Sequence, residues 1–133
     1  MLNGSEETKK IWTVSELNRA VRQVLEDTFE RVWVEGEISN YKLYPSGHAY
    51  FSLKDGDGQL SSAIFRFSTR GIRFEVRDGL AVLALGEVTL YEKRGQYQFV
   101  VEKMEPKGKT SVFLARLEEE RWGFTERIQN KWH

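Results

Sequence analysis

HAYFSLKDGDGQLSSAIFRF, residues 48–67, alternates apolar and polar side chains over its first eight residues, up to a tetrapeptide suited to a turn and a second extended run. Ala49, Phe51 and Leu53 share one face of an extended chain, and His48, Tyr50, Ser52 and Lys54 share the other. Asp55-Gly56-Asp57-Gly58 can supply the positive φ angles of a tight hairpin. The stretch therefore predicts two antiparallel strands, His48–Asp55 and Gln59–Phe67, with the apolar set turned to a core and Tyr50 turned outward.

The same period of two holds upstream, where Val32, Val34, Gly36 and Ile38 alternate with Trp33, Glu35 and Glu37. Gly36 has no side chain to pack, so a bulge or sharp coil of that strand is expected there. Asn40 to Gly47 (NYKLYPSG) reads as a loop carrying two tyrosines. Ser68 to Asp78 breaks the alternation and fits either a short helix, which Gly71 weakens, or an irregular crossover. Leu80–Tyr91 and Gln96–Met104 then form a last strand pair around Glu92-Lys93-Arg94-Gly95, and Pro106 and Gly108 stop the sheet. Before the strands, Thr13 with Glu16 fits a capping box, Trp12 with Leu17 fits a hydrophobic staple, and Val14, Leu17, Val21, Val24, Leu25 and Phe29 mark one packed face of a helix. Thr110–Glu120 predicts a short C-terminal helix through Val112, Leu114 and Leu117. Three strands, an interruption and a final hairpin make a mainly β chain: a five-stranded Greek-key OB-fold barrel with an added N-terminal helix and a short C-terminal one.

Composition narrows the function. A length of 133 residues, 40% apolar and 13% aromatic, suits one domain with one core. Lys plus Arg equal Asp plus Glu at 20 each, so any surface for a polyanion must be local. The chain has no cysteine, and residues 1–10 lack an apolar leader core. No stretch reaches the roughly 20 apolar residues that cross a bilayer, so a cytoplasmic chain without membrane contact is expected. His48 is the sole internal histidine, hairpin formation accounts for Asp55 and Asp57, and no Walker-type Gly-Lys-Ser/Thr follows Gly58. No metal, cofactor or catalytic residue is expected within the chain.

Binding chemistry is better supplied. Tyr41, Lys42 and Tyr44 interleave rings and charge in the first loop behind Asn40, and His48, Tyr50 and Lys54 continue the pattern on the next strand. Bases stack on aromatic faces while cations track phosphates, which is how OB grooves hold single strands. Between Asn40 and Arg77 six cations face three carboxylates, a local net +3 in a neutral chain. Arg66, assigned to the third strand, and Lys93 and Arg94, in the last hairpin loop, border an OB groove. The candidate nucleic-acid site is Asn40, Lys42, Tyr44, His48, Tyr50, Lys54, Arg66, Lys93 and Arg94. Against it stand the readings that the tyrosines only pack the barrel and that Arg73 and Arg77 are solvated surface. The functional alternatives are an RNA or anticodon-type module and a protein-interaction barrel anchored by Trp33, Tyr44 and Tyr50.

The strings Thr13-Val14-Ser15-Glu16-Leu17-Asn18, Val34-Glu35-Gly36-Glu37-Ile38-Ser39-Asn40 and Ser46 to Asp55 resemble the exonuclease VII large subunit. The likeness continues through Phe65-Arg66, Gly79 with Val82, Gly86, Tyr91-Glu92, Arg94 to Gln98, and Pro106 with Gly108, over about residues 11–108. The resemblance implies a non-catalytic, N-terminal single-stranded-DNA-binding domain that serves a separate, later nuclease domain, assisted by copies of a small helical subunit acting through regions absent from this chain. It divides the chain into a tail (1–10), the OB domain with its helix (11–108) and the start of a helical linker (109–133) that departs from the family pattern. A truncated piece or an interrupted reading frame is the expectation for that end.

Overall fold

The computed structural model describes residues 9–69 and 71–108. Helix α1 (Val14–Thr28) starts at the predicted capping box: the Glu16 amide donates to Thr13 Oγ1 at 3.0 Å, and the Thr13 amide donates to Glu16 Oε1 at 2.9 Å. Two of the helix's free N–H groups are thereby satisfied. Strands β1 (Val32–Leu43), β2 (Ala49–Lys54) and β3 (Gln59–Ile64) follow, then the one-turn helix α2 (Arg66–Thr69), β4 (Ala81–Tyr91) and β5 (Gln96–Pro106). The strands close a barrel in the order β1-β2-β3-β5-β4, with β3 and β5 parallel and the other pairs antiparallel. This is the predicted OB architecture. The C-terminal helix expected over 110–120 lies outside the described residues.

Ile38, Ala49, Phe51, Leu53, Ile64, Val82, Phe99 and Val101 fill the barrel. Burying side chains of this size removes each from water for about 1.5–3 kcal/mol, which makes the inward face of every strand non-negotiable. The predicted alternation on β2 is therefore what the barrel uses.

Four expectations are corrected. First, β1 does not end at Ile38 but runs on to Leu43, pairing with β4 through Val32–Glu37 and with β2 through Glu37–Leu43. A bulge between Ser39 and Lys42 lets one strand serve both neighbours, and Asn40 at its centre has φ 56°. Asparagine is one of the few residues that enters this left-handed region readily. Second, Gly36 sits in regular register opposite Val82, not in a bulge; a Cβ there would approach Leu53 Cβ and the Lys54 carbonyl at 3.3 Å, so close strand approach is what the glycine serves. Third, the Asp55–Gly58 turn uses no positive φ. Asp55 Oδ1 instead accepts the amides of Asp57 (2.8 Å) and Gly58 (2.9 Å), and these two donors hold its carboxyl below the ordinary carboxylate range.

Fourth, the predicted apolar face of α1 is largely exposed: Val14 is 78% accessible, and Leu17, Val21 and Val24 also face solvent, while only Leu25 and Phe29 of that set pack on the core. The helix is fixed instead by polar side chains. Asn18 Nδ2 donates to the Glu92 carbonyl (2.9 Å), Arg22 pairs with Glu92 (2.9 Å), and Thr89 Oγ1 donates to Glu26. At 100° per residue the docked Asn18–Arg22–Glu26 face lies about 120° round the helix from the Val14–Val24 stripe.

Candidate nucleic-acid interface

Strand register lays out the outer surface of β1–β2–β3 in rows. Lys42 lies opposite Tyr50 and Tyr50 opposite Ala63; next come Ser39, Ser52 and Ser61; then Glu37, Lys54 and Gln59. The middle row carries only serines between Tyr50 in one flanking row and Lys54 in the other, and Ala63 beside Tyr50 is fully buried. Tyr44, in the β1–β2 turn, meets Tyr50 edge-on with ring centroids 5.6 Å apart and planes at 69°. Both rings are open to solvent, at 46% and 41% accessible, so they form an aromatic platform rather than barrel core. Tyr41, by contrast, turns inward onto Phe51, centroids 5.9 Å apart, and burial raises its phenol above the ordinary range.

Arg66 is not on the third strand. β3 ends at Ile64 because Phe65 turns the chain into α2: the Phe65 carbonyl accepts the Ser68 (2.8 Å) and Thr69 (3.1 Å) amides, and His48 Nδ1 accepts the Arg66 amide at 3.0 Å. This bond places the neutral imidazole's proton on Nε2. His48 also packs edge-on against Phe65, so it ties the β1–β2 turn to α2. Thr69 Oγ1 shares its one proton between the Arg66 carbonyl at 2.8 Å and the Gly47 carbonyl at 3.1 Å, so its tie to the turn is the longer branch of a divided bond. Arg66 is thus carried to the Tyr44 side of the surface, its stem lying against Gly47.

The structure groups Lys42, Tyr44, His48, Tyr50 and Arg66 around the β1–β2 turn, with Asn40 supplying the bulge beneath them. Lys54 stands at the far row, beside Glu37. Lys93 and Arg94 are exposed on the β4–β5 turn, which α1 holds through Glu92; among the described residues no bond or ring contact joins them to Tyr44 or Tyr50. Tyr91 and Tyr97 flank that turn with exposed rings, but the register pairs Tyr91 with Gln96 and Tyr97 with Leu90, which sets the two on opposite faces of the hairpin.

Charge is distributed unevenly. The ion pairs among the described residues join Arg22 to Glu26 and Glu92, Arg31 to Glu102, and Lys107 to Glu35. None of them uses Lys42, Lys54, Arg66, Arg73, Arg77, Lys93 or Arg94, which leaves those cations available to an anion although the whole chain is neutral. No group of three His, Asp or Glu side chains suited to a metal occurs among the described residues.

The barrel carries an open aromatic pair with cations free of ion pairs beside it; a family model described as an OB-fold nucleic acid binding domain matches residues 12–105, and the chain belongs to that family. Among curated proteins it is 50% identical over 107 residues to the Exodeoxyribonuclease 7 large subunit of Geobacter metallireducens, covering 80% of this chain and 24% of the relative. It is 48% identical over 107 residues to the Exodeoxyribonuclease 7 large subunit of Stutzerimonas stutzeri, covering 80% and 23%. The resemblance read from the sequence strings is thereby borne out, and the chain spans about a quarter of the length of these relatives. A solved replication protein A heterotrimer bound to ssDNA shares the fold, with TM-score 0.53 at 14% identity over 73% of each chain.

Proposed function

We propose that this domain binds single-stranded DNA along the outer face of β1–β3 and, in the longer proteins it resembles, presents the strand to a separate nuclease domain. The observation that carries the reading is the solvent-open Tyr44–Tyr50 pair beside the unpaired cations Lys42 and Arg66. Rings take bases for about 1–3 kcal/mol each, cations take phosphates, and neither contact depends on sequence. Backbone-tracking contacts of this kind suit an enzyme that degrades strands irrespective of sequence. In this reading hydrolysis belongs to the separate nuclease domain, and the present domain only holds the strand. A small helical subunit, as in exonuclease VII, would bind through regions of the longer protein absent from this chain, and a strand-degrading role fits a cytoplasmic location.

The test is a titration of labelled single strands at two salt concentrations, with matched DNA and RNA. Salt-dependent binding that favours DNA supports the proposal. Equal or tighter RNA binding moves it to an RNA module, and salt-insensitive self-association without strand binding moves it to a protein-interaction barrel.

A further inference from the structure

Behind the tyrosine platform lies a cavity of about 570 Å³ whose walls are mostly apolar. Its floor is Tyr41, swung inward by the bulge at Asn40. One wall is the extended crossover after α2, where Ile72, Phe74 and Val76 are half-buried and face the cavity while Arg73, Glu75 and Arg77 between them are exposed. The roof is Tyr44 with Pro45, the same Tyr44 whose ring meets Tyr50 outside. The cavity therefore opens where the stacking platform ends.

Two features keep it open. The Gly47–Thr69 and His48–Arg66 hydrogen bonds brace the roof against α2, and Asp78 Oδ1 accepts the Tyr41 amide at 2.9 Å, fixing floor to wall. The Tyr41 phenol, neutral near pH 7 like any tyrosine, puts no negative charge on the floor that would repel an anionic strand. Pockets of 300–1,000 Å³ with apolar and aromatic walls are the usual size for small planar ligands. What selects the ligand here is the charge beside the mouth: Lys42, next to Leu43, and Arg66, whose stem lies against Gly47, are without ion-pair partners among the described residues, while Arg73 and Arg77 alternate with the lining and are exposed on its outer side together with Glu75. An apolar metabolite or a protein side chain has no use for that charge, whereas a nucleotide unit places its ring inside and its phosphates outside.

We propose that this cavity takes one nucleobase of the bound single strand, unstacked from its neighbours, so that the strand is anchored at the Tyr44 end of the groove with its phosphates on Lys42 and Arg66. The proposal rests on the single-strand reading above and adds a site to it. It also gives the crossover a function, since its alternation separates an apolar lining from outward cations.

Methyl NMR of the whole chain, titrated with an oligothymidylate of about eight nucleotides, a length within the range OB folds cover, tests it directly. Intermolecular NOEs from a thymine ring to the Ile72 and Val76 methyls, with upfield ring-current shifts of those methyls, are expected. Filling the cavity by Val76→Phe should weaken binding about tenfold, the scale of one lost base contact, at unchanged melting temperature. NOEs confined to Tyr44 and Tyr50, with Ile72 and Val76 unmoved, would overturn the cavity proposal and leave strand binding standing. No shift anywhere on saturating addition would remove both. If Val76→Phe fails to fold, the NOE pattern of the unaltered protein still decides.

Discussion

At the scale of single residues, Tyr50 shows how far alternation carries. Its place between Ala49 and Phe51 predicts an outward ring, and the barrel puts it there because Phe51 and Ala49 are needed inside. Tyr44→Ala or Tyr50→Ala is expected to weaken single-strand binding by about 1–3 kcal/mol each. Melting temperature should stay close to that of the parent, since both rings are solvent-open; a variant that unfolds but keeps its affinity would instead place the ring in the fold's support. Thr28 offers the opposite case. It is buried at the end of α1, and its Oγ1 has no hydrogen-bond partner among the described residues. A buried hydroxyl without a partner costs stability, so Thr28→Val, which keeps the shape, should raise unfolding free energy by about 1 kcal/mol in urea titration. Arg66 was misplaced because the apolar run Ala63-Ile64-Phe65 carries no stop signal, whereas the Phe65 carbonyl, accepting the Ser68 and Thr69 amides, and His48, 18 residues back, turn the chain into α2.

Among the elements, the β4–β5 hairpin and α1 are coupled. Glu26 accepts from Thr89 and pairs with Arg22; the Thr89 bond first, then Arg22, holds its carboxyl below the ordinary glutamate range. A carboxyl depressed in the folded state stabilises at pH above its unfolded value, and the contribution disappears as pH falls through its folded value. Thr89→Val should therefore cost about 1 kcal/mol near neutral pH, a figure reduced for the group's partial exposure. Melting curves of the two proteins should converge below the ordinary carboxylate range; a constant gap down to strong acid would assign the effect to packing. Within the same hairpin the register shifts between Leu85 and Gly86, and a Cβ at Gly86 would overlap the Val100 carbonyl. Backbone cannot yield as a side-chain tip does, so Gly86→Ala is expected to lower stability by roughly 1–3 kcal/mol, the cost of forced shifts in a packed interior, measurable by chemical denaturation.

For the whole molecule, net charge is zero and long-range attraction to a polyanion is weak, so binding depends on a local surface. If about three to five cations each displace a counterion, log K should fall against log salt with a slope of roughly −2 to −3.5, at about −0.7 per contact for single strands. Arg66→Gln should flatten that slope by about 0.7 and weaken all sequences alike, because phosphates carry no base identity; a slope near zero with binding intact would assign recognition to another surface. What the sequence determined by itself is what local rules encode. The period of two marked the first two strands, turn residues and apolar runs marked the other three, the Thr13–Glu16 pair marked a helix start, and Gly95 marked a hairpin turn, where its φ is indeed +64°. These signals lie within a few residues of the structure they specify, and each strand must bury one face. Tertiary structure alone decided the rest. Asn18, Arg22 and Glu26 dock α1 on partners 74, 70 and 63 residues away, which leaves the apolar Val14–Val24 stripe in solvent although its periodicity marked it as the packed face. The bulge at Asn40, the recruitment of Arg66 by His48 and the cavity over Tyr41 likewise arise where distant segments meet as the barrel closes. Periodicity reports which face of an element is apolar; only closure of the barrel determines which face finds a partner.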